Sequence, residues 1–318
     1  MKKVTDLFNI NKTQEQLTFP NICISGPDNR LFLDALLIAD NNDAFSKKAH
    51  EVLTDFFHTV FKLVREDKIK ELRSILDNSR ENNSFRLGKS QIIKGVYSNG
   101  RGCGADMLIR LLTRVEHRRL IDNGIIQDPM GIILYIKDFS EDRMSDLIAS
   151  VIFEQLNRFT VEQALKYNPN ASFEKREGYR WDTGVHDWVK FEFEQLQDLN
   201  GADLSLVPKQ IVTDKYRYNP DQYMMAHLIQ HEQEIELDIA QETDPDAVKR
   251  NKKVIRDEKK SEMGNLSTKE FLIQYTLLYP TKDFIADYRE SVKKRYNGGL
   301  SDSEITSVIN RPYIEYTA

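Results

Sequence analysis

The chain has 318 residues, 40% of them hydrophobic and 30% charged, enough to bury a sizeable core in one large domain or two smaller ones. A formal net charge of -5 excludes a molecule-wide attraction to nucleic acid, so any such surface has to be a local basic patch. The two cysteines, Cys23 and Cys103, lack metal-ligand spacing, which argues against a disulfide framework and a zinc site. No signal-like apolar core follows Met1, and no run approaches the roughly 18 apolar residues of a membrane span, so a soluble, cytoplasmic protein is expected.

Residues 1–43 read as short strands and turns. The segment 21–25 is one strand candidate, stopped by Gly26 and Pro27, and 30–34 is another. A helix is predicted over about 45–66, because Val52, Leu53, Phe56, Phe57, Val60, Phe61 and Val64 recur at three-and-four spacing, the mark of a core-facing stripe. A second helix over 67–77 exits through the polar segment 78–83. Gly100, Gly102 and Gly104 oppose both helix and strand, so 98–104 is irregular. A helix then starts near Ala105, with Met107, Leu108, Leu111, Leu112 and Val115 on one face, and Asp122, Asn123 and Gly124 close the unit as a turn.

The apolar run 131–136 reads as a buried strand. It breaks into an acidic turn carrying Asp138, Glu141 and Asp142, and Asp146 follows at the start of an amphipathic helix over about 143–160. That helix is expected to bury Leu147, Ile148, Val151, Ile152, Leu156 and Phe159. Residues 168–187 are polar and turn-rich, with Tyr179, Trp181 and Trp188 scattered in and beyond them, and read as a long surface loop or a domain seam. The segment 204–212 reads as a strand, at an edge or bulged because Pro208 cannot donate to a ladder.

After Pro220 the chain reads as helical, over about 220–240, 268–279 and 282–296, with a capping box at Ser301–Glu304 for a last short helix. An acidic run over 232–246 meets a basic run over 249–260. The expected architecture is α+β: helices around a small mixed sheet in 1–215, then a mostly helical region over 216–318.

The acidic turn carries the first chemical argument. Two carboxylates about 4 Å apart repel by roughly 4 kcal/mol at an effective dielectric of 20. Where several converge, a divalent cation or a basic partner stands between them, or one is protonated. Hard oxygen ligands suit magnesium, manganese or calcium. The alternative is local: Asp142 caps the helix and Asp146 complements its dipole. The loop of Gly100, Gly102 and Gly104 either offers amides to a phosphate or is a plain helix-capping loop, and no Walker lysine accompanies it. Lys249, Arg250, Lys252 and Lys253 either contact nucleic-acid phosphates or neutralise the acidic run beside them.

Lys209 in its strand, with Glu192, Glu194 and Asp198 upstream, resembles in part the PD-(D/E)xK nucleases. The position two before the lysine is Val207 rather than an acid, so Asp142 or Asp146 would have to compensate. The resemblance implies that Asp142 and Asp146, with Asp198 or Glu194, hold Mg2+ while Lys209 orients the attacking water. Arg110 and His117 satisfy the loose Arg-x(4–6)-His pattern of the helical HEPN ribonucleases, or are ordinary surface charge. Further segments are Leu31-Phe32-Leu33-Asp34, Glu81-Asn82-Asn83 with Leu87-Gly88, the glycine loop, 142–146 with Phe159-Thr160, and 206–212. Together they resemble a group of poorly characterised bacterial proteins associated with phage-defence neighbourhoods, over about 20–230. Those relatives are expected to carry Asp-Pro after the first strand, where this chain has Asp34-Ala35. The implied role is a component of a bacterial anti-phage defence system, either a metal-dependent nuclease effector or a non-catalytic subunit that binds a partner ATPase or nuclease.

Overall fold

The computed structural model describes residues 2–79, 82–88, 91–93, 96–98, 104–137, 139–296 and 298–311. In chain order the elements are α1 (Val4–Phe8), β1 (Phe32–Leu33), α2 (Ala35–Asp40), α3 (Ala44–Arg65), α4 (Ile69–Asp77), β2 (Gln91–Ile93) and β3 (Val96–Ser98). Then come α5 (Ala105–Leu112), α6 (Val115–Asp122), α7 (Pro129–Tyr135), α8 (Glu141–Val151) and α9 (Phe153–Tyr167). The remainder is β4 (Phe173–Asp182), β5 (Asp187–Gln197), β6 (Asp203–Leu204), β7 (Val212–Thr213), α10 (Pro220–Tyr223), α11 (Ile229–Gln241), α12 (Lys252–Glu262), α13 (Thr268–Leu278), α14 (Phe284–Arg295) and α15 (Asp302–Ile309). The fold is α+β. Its strands form three small antiparallel sheets, β1-β7, β2-β3 and β4-β5-β6, among the described residues, rather than one mixed sheet. No described helix is long and apolar enough to cross a membrane.

The chain divides into two compact units. The described residues of one lie within Met1–Ile109, Ser140–Tyr216 and Gly298–Ala318, and those of the other within Arg110–Phe139 and Arg217–Asn297. The helical region after 216 therefore takes in 110–139 as well, and returns its last helix to the first unit.

In the first unit α3 is the central helix, and its whole predicted stripe from Val52 to Val64 is buried. Its cap is Asp43, whose carboxylate accepts from the Ser46 amide at 3.0 Å. The predicted loop over 168–187 instead holds β4 and the turn of the long β4–β5 hairpin, in register with Trp181 opposite Trp188. Those indoles meet edge-to-face at 5.6 Å, and Phe56 of α3 lies 5.0 Å from Trp181. The opposite face of β5 packs Phe193 against Phe153 of α9 at 5.0 Å. On β5, Val189, Phe191 and Phe193 alternate with exposed Lys190, Glu192 and Glu194, whereas β4 is exposed over much of its length and shows no such alternation. The predicted helix over 143–160 is two helices, α8 and α9, broken at Ile152. The predicted strand over 204–212 reduces to β6, a single 3-10 turn at Lys209–Ile211, and β7, which pairs with β1 through Leu33 opposite Val212.

In the second unit, the apolar run predicted as a strand is α7. Asp128 caps it, accepting from Met130 and Gly131 at 2.9 and 3.0 Å, and Pro129 stands in its first turn. Every residue of α7 is buried, so the run shows no periodicity to separate helix from strand. At its end the Tyr135 hydroxyl meets those of Tyr223 at 2.8 Å and Thr276 at 3.1 Å. Val115, expected on the α5 face, begins α6 and is exposed. The predicted helix over 220–240 is continuous but carries a π-helical turn at Met224–Leu228.

Candidate functional site

In the first unit, β1 ends against the start of α8. Asp34 follows β1, is fully buried, and caps α2 by accepting from the Leu36 amide at 2.8 Å. Its own amide donates to the Ile211 carbonyl at 3.0 Å. The neighbouring Leu33 amide donates to Ser145 Oγ of α8 at 2.9 Å. Tyr216 completes the junction. Its hydroxyl donates to the Leu33 carbonyl at 2.7 Å, and its amide donates to Glu141 Oε1 at 2.9 Å. Burial pushes the Tyr216 phenol well above its ordinary range, and the charges of Asp34, Glu141, Asp146 and Asp142 push it further. The charges of Asp34, which follows β1, and of three carboxylates of α8 thus all act on one neutral phenol.

Asp142 approaches backbone on its other side. Gly88 has φ +122°, and a Cβ there would stand 2.5 Å from Asp142 Oδ1. Only glycine provides both that backbone conformation and that space.

Asp142 and Asp146 act with Asp34 and Glu141 on the Tyr216 phenol, but the structure gives Asp198, Glu194 and Lys209 other partners. Asp198 is buried and closes the β5–β6 turn, with Oδ1 accepting from Asn200 at 2.7 Å and Ala202 at 3.0 Å. Its second oxygen faces the Arg86 guanidinium at 3.6 Å. Glu194 is exposed on β5, opposite Lys175. Lys209 lies in a 3-10 turn rather than a strand, and its ammonium is 2.7 Å from Asp302 in the first turn of α15 and 3.5 Å from the Gln14 carbonyl. Among the described residues no group of three or more His, Cys, Asp or Glu side chains is placed to hold a metal ion.

The other candidates fall elsewhere. Gly100 and Gly102 lie outside the described residues, as does Asp138, while Gly104 precedes α5 with open space where a Cβ would stand. In the basic run, Arg250 bridges Glu236 at 3.0 Å and Glu258 at 2.7 Å, and Lys252 donates to Gln230 at 3.0 Å. Lys249 and Lys253 are exposed. His117 is buried with Nδ1 2.6 Å from the Leu111 carbonyl, which is packing rather than a surface catalytic pose. The sequence brings in Asp34 only through the family resemblance, not as a site residue, and does not single out Tyr216. A carboxylate directly after the apolar strand 31–33 is the signal that could have singled out Asp34, whereas nothing in the sequence ties Tyr216 to it.

Residues 9–219 match the family model of a domain of unknown function, DUF8370, which takes in β1, α8 and the whole Tyr216 junction. No curated protein and no solved structure matches the chain.

Proposed function

We propose, for a chain that belongs to the DUF8370 family, a non-catalytic role: a protein-binding component of a bacterial defence assembly. The observation that carries this reading is the dispersal of the predicted catalytic set. Lys209 is held by Asp302, Asp198 by the amides of its own turn, and Glu194 lies on an open strand face. A shared metal-centred reaction needs those groups around one reacting atom.

The docking surface in this reading is the open side of the β4–β5 hairpin. It carries a concavity of about 400 Å³ lined by Lys175, Arg176, Glu177, Glu192, Phe193 and Glu194. Glu177 stands directly opposite Glu192, and like charges so placed weaken a sheet. A basic partner segment would relieve that repulsion. The test is gel filtration with the products of neighbouring genes, alongside a nucleic-acid cleavage assay with and without magnesium. Co-elution that is lost in the Glu177→Lys/Glu192→Lys variant, without cleavage, supports the reading. Magnesium-dependent cleavage that disappears in Asp142→Asn with the fold retained overturns it.

One observation favours a second reading, a magnesium-assisted hydrolase: the charges of Asp34, Glu141, Asp146 and Asp142 all act on the single buried Tyr216 phenol. There Asp34 would take the place of Asp198 and Glu194. Calorimetric magnesium binding lost in Asp34→Asn would support it, and binding unchanged in that variant would remove it.

A further inference from the structure

The second unit contains a chain of polar side chains that the proposed function does not use. Glu232 is buried and paired with Lys259 at 2.8 Å. Its other oxygen accepts from the Tyr275 hydroxyl at 2.9 Å, and that hydroxyl also lies 3.0 Å from His231 Nδ1. Burial and the Glu232 charge push the Tyr275 phenol far up, so it keeps its single proton and directs it to the carboxylate. His231 Nδ1 is therefore the donor to the Tyr275 oxygen, and Nε2 of the neutral ring carries the lone pair. Around the ring stand Tyr275 at 6.2 Å, Tyr279 at 4.7 Å and Phe284 at 5.2 Å, all edge-to-face.

One helical turn earlier, His227 lies in the π-helical turn that leads into α11. Its Nε2 is 3.3 Å from Ser291 Oγ, whose own proton goes to the Tyr288 carbonyl at 2.8 Å. Nε2 is thus the donor here, and the remaining lone pair of the neutral ring is on Nδ1. The rings of Tyr223 and Tyr288 lie 6.0 and 5.3 Å away. Two histidines four residues apart thus seat the start of α11 against α13 and α14, each with one ring nitrogen already donating and the other holding a lone pair. π-helical turns recur at functional sites.

We propose that His227 and His231 form a proton-operated catch: neutral, they hold α11 on α13 and α14, and protonated, they loosen it together with the α11–α12 hairpin. The charged groups acting on His231 are Lys282, which opposes protonation, and Glu232 and Glu234, which favour it. Those acting on His227 are Asp287, which favours protonation, and Lys252 and Arg295, which oppose it. Partial burial is the largest influence on both and lowers their affinity for protons. The opened form, with ordinary imidazoles, therefore takes up protons first as pH falls. The catch is closed above the ordinary imidazole value of about 6.5 and weakens below it.

The test is hydrogen–deuterium exchange of the full chain from about pH 8 to about pH 5, a range that spans that value, corrected for intrinsic exchange chemistry. The expected result is loss of protection in α11 as pH falls, with a flat profile in the His227→Gln/His231→Gln variant. A flat profile in the unsubstituted chain overturns the proposal. So does a pH-dependent loss that persists in the variant. Proton NMR of the unsubstituted chain gives a second readout that needs no variant. Midpoints of His227 and His231 below the ordinary value support the catch, and midpoints at or above it overturn it.

Discussion

Lys209 Nζ stands 2.7 Å from Asp302 Oδ1, joining the 3-10 turn after Pro208 to the first turn of α15. The lysine that a nuclease reading would place over a scissile phosphate instead fastens the last helix of the first unit. Both side chains are about a quarter exposed, so the pair is partly screened. Lys209→Ala and Asp302→Ala should each lower stability by about 1 kcal/mol or less, and their coupling should account for most of it. A double-mutant cycle in urea measures this. Additive effects would show that the pair contributes nothing.

Gly88 and Asp142 give a sharper steric prediction. An added methyl meets Asp142 Oδ1 at 2.5 Å on a backbone with φ +122°. Gly88→Ala should destabilise by about 1–3 kcal/mol through strain at that backbone position. Pairing it with Asp142→Ala should recover only part of the loss, because the backbone strain remains. Full recovery in the urea midpoint would mean that the carboxylate alone requires the glycine.

Tyr216→Phe removes the hydroxyl that donates to the Leu33 carbonyl. With that buried acceptor left without its donor, a loss of about 1–3 kcal/mol is expected in chemical denaturation. A change within experimental error would show that the junction of β1 with α8 does not depend on this bond.

The buried phenols also predict behaviour in alkali. Tyr216 and Tyr223 are raised well above their ordinary range, and Tyr135 is pushed up to about 12, by burial first in every case. A phenol whose folded value is raised contributes stability that is fully present below its unfolded value of about 10 and is lost as pH rises above it. Tyrosinate absorbance should therefore appear in two stages, the second coincident with loss of helical circular dichroism. A single smooth titration near the ordinary value would contradict the burial of these rings.

The sequence was most readable where one face is buried along a regular period. The α3 stripe is such a case, because 22 residues repeat one amphipathic pattern against the core. α7 reads equally as a strand because all its residues are buried, so the pattern shows burial without geometry. β4 reads as loop for the opposite reason: charged Glu174, Lys175, Arg176 and Glu177 sit on a strand exposed over much of its length. At the candidate site Asp142 and Asp146 were legible as neighbours on one helix. Asp34 and Tyr216 reach them only through the β1–β7 pairing, a long-range contact that no local spacing encodes. The predicted use of Lys209 failed because its partner, Asp302, lies far along the chain and arrives with α15.

Both tryptophans of this protein, Trp181 and Trp188, face each other across one hairpin of the first unit. Indole emission excited apart from tyrosine will therefore follow the seating of that hairpin on Phe56 and remain blind to melting of the second unit, where the aromatic reporters are tyrosines. A denaturation curve followed by tryptophan alone would describe the first unit's unfolding as if it were the whole molecule's.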